Sequence, residues 1–263
     1  MRRGRVGRPA TLRVLMASGL AGLAALVVGF LYWRLKYFLR DPARTVPPGE
    51  ENIVSAADGF VTYVKRIERG QIPIAVKGNK QIPLLEYTGL DISSSGYLIG
   101  TYMTEHSVHR NRVPIAGTVA FRRHRSADPF NRSMAPMAMN LLFGRTPYDD
   151  GCNYLLANER MTIGVRHRSG ALVMVTQIAD LWINRIVARV IPGDDVARGE
   201  QYGLIRFGSQ CDVFLPDELV DVVLVEPGQY VFAGETVLAR SPVRAGHPCA
   251  LPTEVNHAVH QGS

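Results

Sequence analysis

Pro192-Gly193-Asp194-Asp195-Val196-Ala197-Arg198-Gly199-Glu200 decides the fold, because it returns 35 residues later as Pro227-Gly228-Gln229-Tyr230-Val231-Phe232-Ala233-Gly234-Glu235. The shared pattern is P-G-x-x-V-x-x-G-E. Pro-Gly is a turn signal, the single Val marks a short half-buried strand, and the second Gly turns the chain again. Two such units predict a fold of repeated short β-hairpins. Outward from the repeat, β-type runs occupy Gly59 to Arg66, Tyr97 to Met103, Gly117 to Arg122, Met161 to His167, Ala171 to Ile178 and Val220 to Val225, each bounded by Gly, Pro or charged residues. No long segment of helical period competes with them. Residues 126 to 151, with Pro129, Pro136 and Pro147, read as a long irregular loop. Met134, Met137 and Met139 within it read as loop packing or as an adaptable apolar lining for lipid.

The turn, strand and second turn resemble the sandwiched hairpins of biotinyl and lipoyl carrier domains. A carrier needs a modifiable Lys at a hairpin tip, and Lys36, Lys65, Lys77 and Lys80 all lie far from both copies. The repeat is therefore a fold signal. The expected class is a mainly β (α+β) catalytic domain with carrier-like β-sandwich hairpins, preceded by an N-terminal transmembrane helix.

Composition bounds the remaining options. With 46% hydrophobic and 20% charged residues in a chain of 263, a sizeable core is affordable and a disordered or collagen-like chain is excluded. The net charge of +7 is unevenly placed: residues 1–44 hold nine basic residues against Asp41, which leaves the rest close to neutral. Basicity gathered around one apolar segment points to a membrane and argues against a nucleic-acid partner. Cys152, Cys211 and Cys249 are odd in number and form no CxxC pair, which fits a reducing compartment and gives no metal site.

From Val14 to Trp33 no residue is charged. As a helix this run would span roughly 30 Å, one hydrocarbon core. A cleaved signal peptide is the rival, but its apolar run is shorter and ends at small residues, whereas this one ends in Phe30-Leu31-Tyr32-Trp33. Five basic residues precede the run and four follow it, so charge counting leaves orientation undecided, and a hairpin insertion stays open. The division expected is 1–36 for the basic N terminus and anchor, 37–54 for a connector, 55–243 for the catalytic domain and 244–263 for a tail.

Five short motifs carry the chemistry: Phe38-Leu39-Arg40-Asp41-Pro42-Ala43-Arg44, Ser55-Ala56-Ala57-Asp58-Gly59, the stretch from Met103 through His106 and His109 to Pro114, Asn158-Glu159-Arg160, and Gly208-Ser209. Taken singly, Asp58 is a turn aspartate, His109 a loop histidine and Asn158-Glu159-Arg160 a solvated turn. In this order and spacing they resemble the phosphatidylserine decarboxylase proenzymes, particularly the short prokaryotic form, from Phe38 to about Arg240.

The resemblance implies self-cleavage between Gly208 and Ser209, with Ser209 converted to a pyruvoyl group, the pyruvate cofactor of the mature enzyme. Glycine before the serine leaves the carbonyl open to attack. His109 would be the base and Asp58 would orient the imidazole. The implied reaction is decarboxylation of phosphatidylserine to phosphatidylethanolamine at the cell membrane, with the catalytic domain on the cytoplasmic side. The implied partners are phosphatidylserine, membrane lipid, and the large and small chains of one proenzyme; a homo-oligomer is left open. The sequence departs from the family at Ala56, where Pro is common, at Gln210, where Arg is common, at His106, where Asp is common, and at Arg112, where longer relatives have a second histidine. Two other readings stand beside this one: a pyruvoyl decarboxylase of another amino-acid headgroup or soluble amino acid, and a non-catalytic membrane protein with a carrier-like fold.

Overall fold

The computed structural model describes residues 10–74, 80–83, 94–181, 186–205 and 209–242. Helix α1 (Ala10–Tyr32) runs on through a wider turn, Trp33–Tyr37, closed by the Phe38 N–H on the Trp33 carbonyl at 2.8 Å. The 24 residues Val14–Tyr37 are long and apolar enough to cross a bilayer, and the most apolar window buries nothing against the rest of the protein. An apolar run with no polar face gives a helix of this kind. The helical segment therefore ends at Tyr37, one residue past the boundary expected at 36.

The remaining elements are β1 (Asn52–Val54), β2 (Gly59–Ile67), β3 (Gln71–Ile74), β4 (Lys80–Pro83), β5 (Gly96–Met103), β6 (Arg110–Arg112), β7 (Gly117–Arg125), α2 (Ala135–Leu142), α3 (Tyr154–Ala157), β8 (Arg160–Arg166), β9 (Leu172–Ala179), β10 (Ile186–Ala188), β11 (Asp195–Val196), β12 (Gln201–Ile205), β13 (Ser209–Pro216), β14 (Val222–Val223), β15 (Tyr230–Val231) and β16 (Val237–Arg240). An antiparallel eight-stranded sheet has the order β11-β7-β8-β9-β13-β5-β2-β15, with small sheets β10-β12-β6, β1-β16-β14 and β3-β4 beside it.

The two copies of the repeat form the two edges of the large sheet. Gly193 and Gly228 have φ of 99° and 94°, Gly199 and Gly234 have 80° and 76°, conformations in which any Cβ would be strained. The hydrogen bonds repeat as well: Gly193 N–H donates to Val119 O at 2.8 Å, and Gly228 N–H to Val61 O at 2.7 Å. A Cβ on Gly234 would lie 3.5 Å from the Cα of Gly199, so the second turns of both copies abut. This contact draws the edges together and curls the sheet.

Strand β13 lies between β5 and β9, and all eight of its residues are buried. Cys211, Val213 and Leu215 face the larger core with Ile99, Val175 and Val61, while Phe214 faces a second core with Met174, Tyr102 and Leu98. The second core is closed from outside by α2 and α3 through Met134, Met137, Tyr154 and Leu155. Residues 126–151 are thus not irregular throughout. Pro136 sits in the first turn of α2, where its missing N–H has no helical partner to lose. Met134 and Met137 are buried core residues, and only Met139 is exposed. The run expected from Val220 to Val225 shortens to β14, and a single 3-10 turn at residues 217–219 precedes it. Residues 37–54, expected as a connector, lie along the domain, with Phe38 buried and β1 paired to β16. Residues 243–263, which include the expected tail, lie outside the described residues.

Candidate active site

Ser209 is the first residue of β13, opposite Met103 of β5 and Ala179 of β9. That register puts it at one end of the sheet, fully buried, with no hydrogen-bond partner for Oγ. A buried hydroxyl left unpaired costs about 1–3 kcal/mol. Gly208 lies outside the described residues.

His109 reaches the same end. Its carbonyl accepts the Ile205 N–H at 3.1 Å, four residues before Ser209. The ring is buried and stacked on Phe38, centroids 4.0 Å apart at 28°. Nδ1 lies 2.9 Å from the Ser107 carbonyl, which can only accept, so Nδ1 carries the hydrogen. Nε2 is then a bare nitrogen, buried and without a hydrogen-bond partner. Burial pushes the pKa of His109 down to about 4; the bond to Ser107 opposes this and Arg40 adds to it. The imidazole is therefore neutral at physiological pH, in the tautomer a base requires.

Asp58 corrects the expected relay. Its oxygens accept from Arg44 Nη2 at 3.0 and 2.7 Å and from the Ala233 N–H at 2.7 Å, and the hydrogen bond that fixes the His109 tautomer is donated by Nδ1 to the Ser107 carbonyl instead. A buried carboxylate is better compensated by a permanent guanidinium than by a neutral imidazole. Burial works against the Arg44 charge, but its bonds to Asp58 and Glu235 prevail and raise its pKa further. Gly59 follows for a steric reason: a Cβ there would lie 2.0 Å from the Tyr102 carbonyl oxygen. The Asp58-Gly59 turn is thereby laid against the end of β5, next to Met103.

Asn158, Glu159 and Arg160 are buried, not a solvated turn. Asn158 Nδ2 donates to Ala179 O at 2.7 Å, and the Ala179 N–H donates to Glu159 O at 2.9 Å. The triplet holds the residue that faces Ser209. Gln210 turns to the other side of the sheet, where Nε2 donates to Tyr63 Oη at 2.8 Å and to Asp212 Oδ1 at 2.7 Å, while Tyr154 Oη donates to its Oε1. Arg112 bonds Asp41 at 2.7 Å and the Gly199 carbonyl at 2.9 Å, which ties the connector to the repeat. His106 is exposed and offers its carbonyl to Arg40. Burial raises the Cys211 thiol far above its ordinary range, as suits a core residue.

Sequence reasoning gave no role to Phe38, Arg44, Ser107, Tyr63 or Tyr154. Phe38 and Arg44 stood in a quoted motif, but the backbone carbonyl of Ser107 has no signature in sequence.

The family model for phosphatidylserine decarboxylase matches residues 31–239. The phosphatidylserine decarboxylase proenzyme of Ruegeria pomeroyi is 34% identical over 212 residues, 81% of this chain and 80% of that protein. The proenzyme of Nitratidesulfovibrio vulgaris is 35% identical over 216 residues, 82% of each, and that of Symbiobacterium thermophilum 32% over 227 residues, 86% and 84%. With a family match across most of its length and relatives above 30% identity over four fifths of each chain, this protein belongs to the phosphatidylserine decarboxylase family.

Proposed function

We propose that the chain is a proenzyme that cuts itself between Gly208 and Ser209 and then converts phosphatidylserine to phosphatidylethanolamine and carbon dioxide, the substrate being the one named for its relatives. The observation that carries this reading is a pair of buried reactive atoms without hydrogen-bond partners, Ser209 Oγ and His109 Nε2, at one end of the sheet.

Maturation uses both. Oγ loses its proton to Nε2 and bonds to the Gly208 carbonyl carbon; the amide bond between 208 and 209 breaks, its nitrogen is protonated, and an ester remains. Loss of the Ser209 α-proton with cleavage of the Cβ–O bond frees the Gly208 carboxylate and leaves dehydroalanine. Addition of water and loss of ammonia then give a pyruvoyl N terminus on a chain of residues 209–263.

The residues present fit such a group, since the Ser209 side chain is enclosed and its oxygen is pledged to nothing. A pyruvoyl carbonyl supplies the electron sink that amino-acid decarboxylation requires. Around it, Phe38 and Met103 exclude water, His109 Nε2 can hold a proton, and Ala179 is fixed by Asn158 and Glu159. Asp58 acts from one remove: through Arg44 it holds the connector that brings Phe38 onto His109. Helix α1 keeps the domain at the membrane, on the cytoplasmic side, where reduced cysteines and a phospholipid substrate coincide.

Denaturing gels with intact mass test the reading. Wild-type protein should yield two chains with residue 209 blocked as a pyruvoyl group, and Ser209→Ala should stay whole and release no carbon dioxide from phosphatidylserine. A cut Ser209→Ala chain would refute the assignment.

A further inference from the structure

Outside α1, large exposed apolar side chains gather around α2. Phe130, Met139, Leu142 and Phe143 are 63, 47, 73 and 56% exposed. The helix is held by one side only: Met137 is fully buried, Ala138 and Leu141 are partly buried against the second core, and Met139 and Leu142 are left in solvent. The same stretch is basic. Residues 122–145 carry Arg122, Arg123, Arg125, Arg132 and Arg145, all exposed, against the one acidic residue Asp128. Beyond residue 44 the chain is otherwise close to neutral or acidic, so this is a local concentration of charge. Arg145 lies 5.1 Å from the centroid of the Phe143 ring, so a basic and an apolar side chain meet there. Arg123 and Arg125 share the face of β7 on which Phe121 packs against the second core, while Arg122 points to the other face and bonds the Val190 carbonyl.

Its position bears on the site. The Met134 N–H, which opens α2, donates to Asp180 Oδ1 at 2.9 Å, and Asp180 follows Ala179, the residue opposite Ser209. Arg125 and Arg160 are paired in a row that continues through Ile178 to Gln210. The anchor leaves its helix at this end too, through Phe38 on His109.

We propose that this face is a second membrane contact, in which α2 lies in the interface of an anionic bilayer. Met139, Leu142 and Phe143 enter the acyl boundary, and the arginines meet the headgroups. A second copy of the chain fits less well, since a two-fold contact through this patch would set arginines against arginines. Together with α1 the contact makes two attachments, which turn the Ser209 end of the sheet toward the lipid surface. The proposal deepens the lipid-decarboxylase reading but is tested without reading turnover.

The full chain is made with Cys249→Ser, leaving the buried Cys152 and Cys211. Leu142→Cys carries an environment-sensitive fluorophore, and Ser169→Cys, in the exposed β8–β9 turn at the other end of the sheet, is the control. In vesicles of phosphatidylcholine with phosphatidylglycerol, which is not the substrate, iodide should quench the probe at 142 at least about threefold less than the probe at 169, as expected for a helix face in the interface. Lipids with a shallow spin label should quench 142 and not 169. Replacing Arg123, Arg125, Arg132 and Arg145 with Gln, or omitting phosphatidylglycerol, should remove most of the protection. Equal iodide quenching at both positions in anionic vesicles overturns the proposal. Protection in lipid-free detergent that grows with protein concentration assigns the face to a second copy and overturns it equally. An uncut or inactive preparation that still protects 142 would count against the enzyme reading alone.

Discussion

Phe38 should set the basicity of His109. Its ring is 3% exposed and covers the imidazole at 4.0 Å, and burial is the leading cause that holds the histidine at about 4 instead of 6.5. Phe38→Ala removes that cover and admits water. A complete return to 6.5 corresponds to about 3 kcal/mol of regained preference for the charged ring. At about pH 5.5 the wild-type imidazole is then almost wholly neutral, while a ring restored to 6.5 is neutral in only about one molecule in ten. Relative to its own rate near pH 8, self-cleavage at about pH 5.5 should hold within about twofold in the wild type and fall by up to about tenfold in Phe38→Ala. The assay is brief cell-free synthesis, dilution into a pH series, and a gel time course of the two chains. Phe38→Leu keeps an apolar cover and should follow the wild-type profile, which separates cover from folding damage. A Phe38→Ala protein that is cut with the flat wild-type profile, or a wild-type profile falling through 6.5, refutes the reasoning.

Asp58→Asn keeps an acceptor for the Ala233 N–H but leaves the buried Arg44 with Glu235 alone; loss of one partner of such a pair costs roughly 3–5 kcal/mol, and denaturant melts should report it together with slower processing. Wild-type stability and processing in this variant would remove Asp58 from its positioning role. Gly59→Ala must push β2 off β5 at the residue before Met103, an overpacking cost of about 1–3 kcal/mol or more, so a lowered Tm with impaired cutting is expected and an unchanged protein contradicts the close approach. Deleting residues 1–36 retains Phe38, so flotation should show attachment weakened to the part that anionic lipid sustains through α2, while gels show undiminished self-cleavage. A truncated chain that stays whole would make α1 part of the maturation site.

The turn, short strand and second turn of each repeat copy were legible because Pro, Gly and Val impose them locally, and the two copies do adopt matching φ at both glycines; that they form the two edges of one sheet was not. The apolar helix α1 was legible for the same reason, since an uncharged run needs no tertiary information. Strand β13 was not: buried on both faces, it mixes Gln210, Asp212 and Cys211 without alternation, and polar residues there are tolerated only because Tyr63 and Tyr154 answer them from distant segments. Helix α2 was hidden by Pro136, whose place in the first turn is innocuous, and by Met residues that suit loops and cores equally. Ser209 and His109 were marked as reactive types, and the structure brings both to one end of the sheet. The expected Asp58 contact failed because a nearby arginine competes for the carboxylate, a choice that depends on where the connector lies.

The central place of β13 bears on what a cut at Ser209 would leave behind. The severed end belongs to a strand laced on both sides, to β5 along its whole length and to β9 along most of it, and the same downstream piece continues into β15 on β2 and β16 on β1. The two products would stay interlocked like a spliced rope, with a new terminus at the site and no fragment free to diffuse. Pulling them apart would mean melting the sheet, and refolding separated pieces would demand that a central strand find its slot without the tether that first delivered it. The precursor would thus be a folding template used once, and its mature form kinetically trapped by topology.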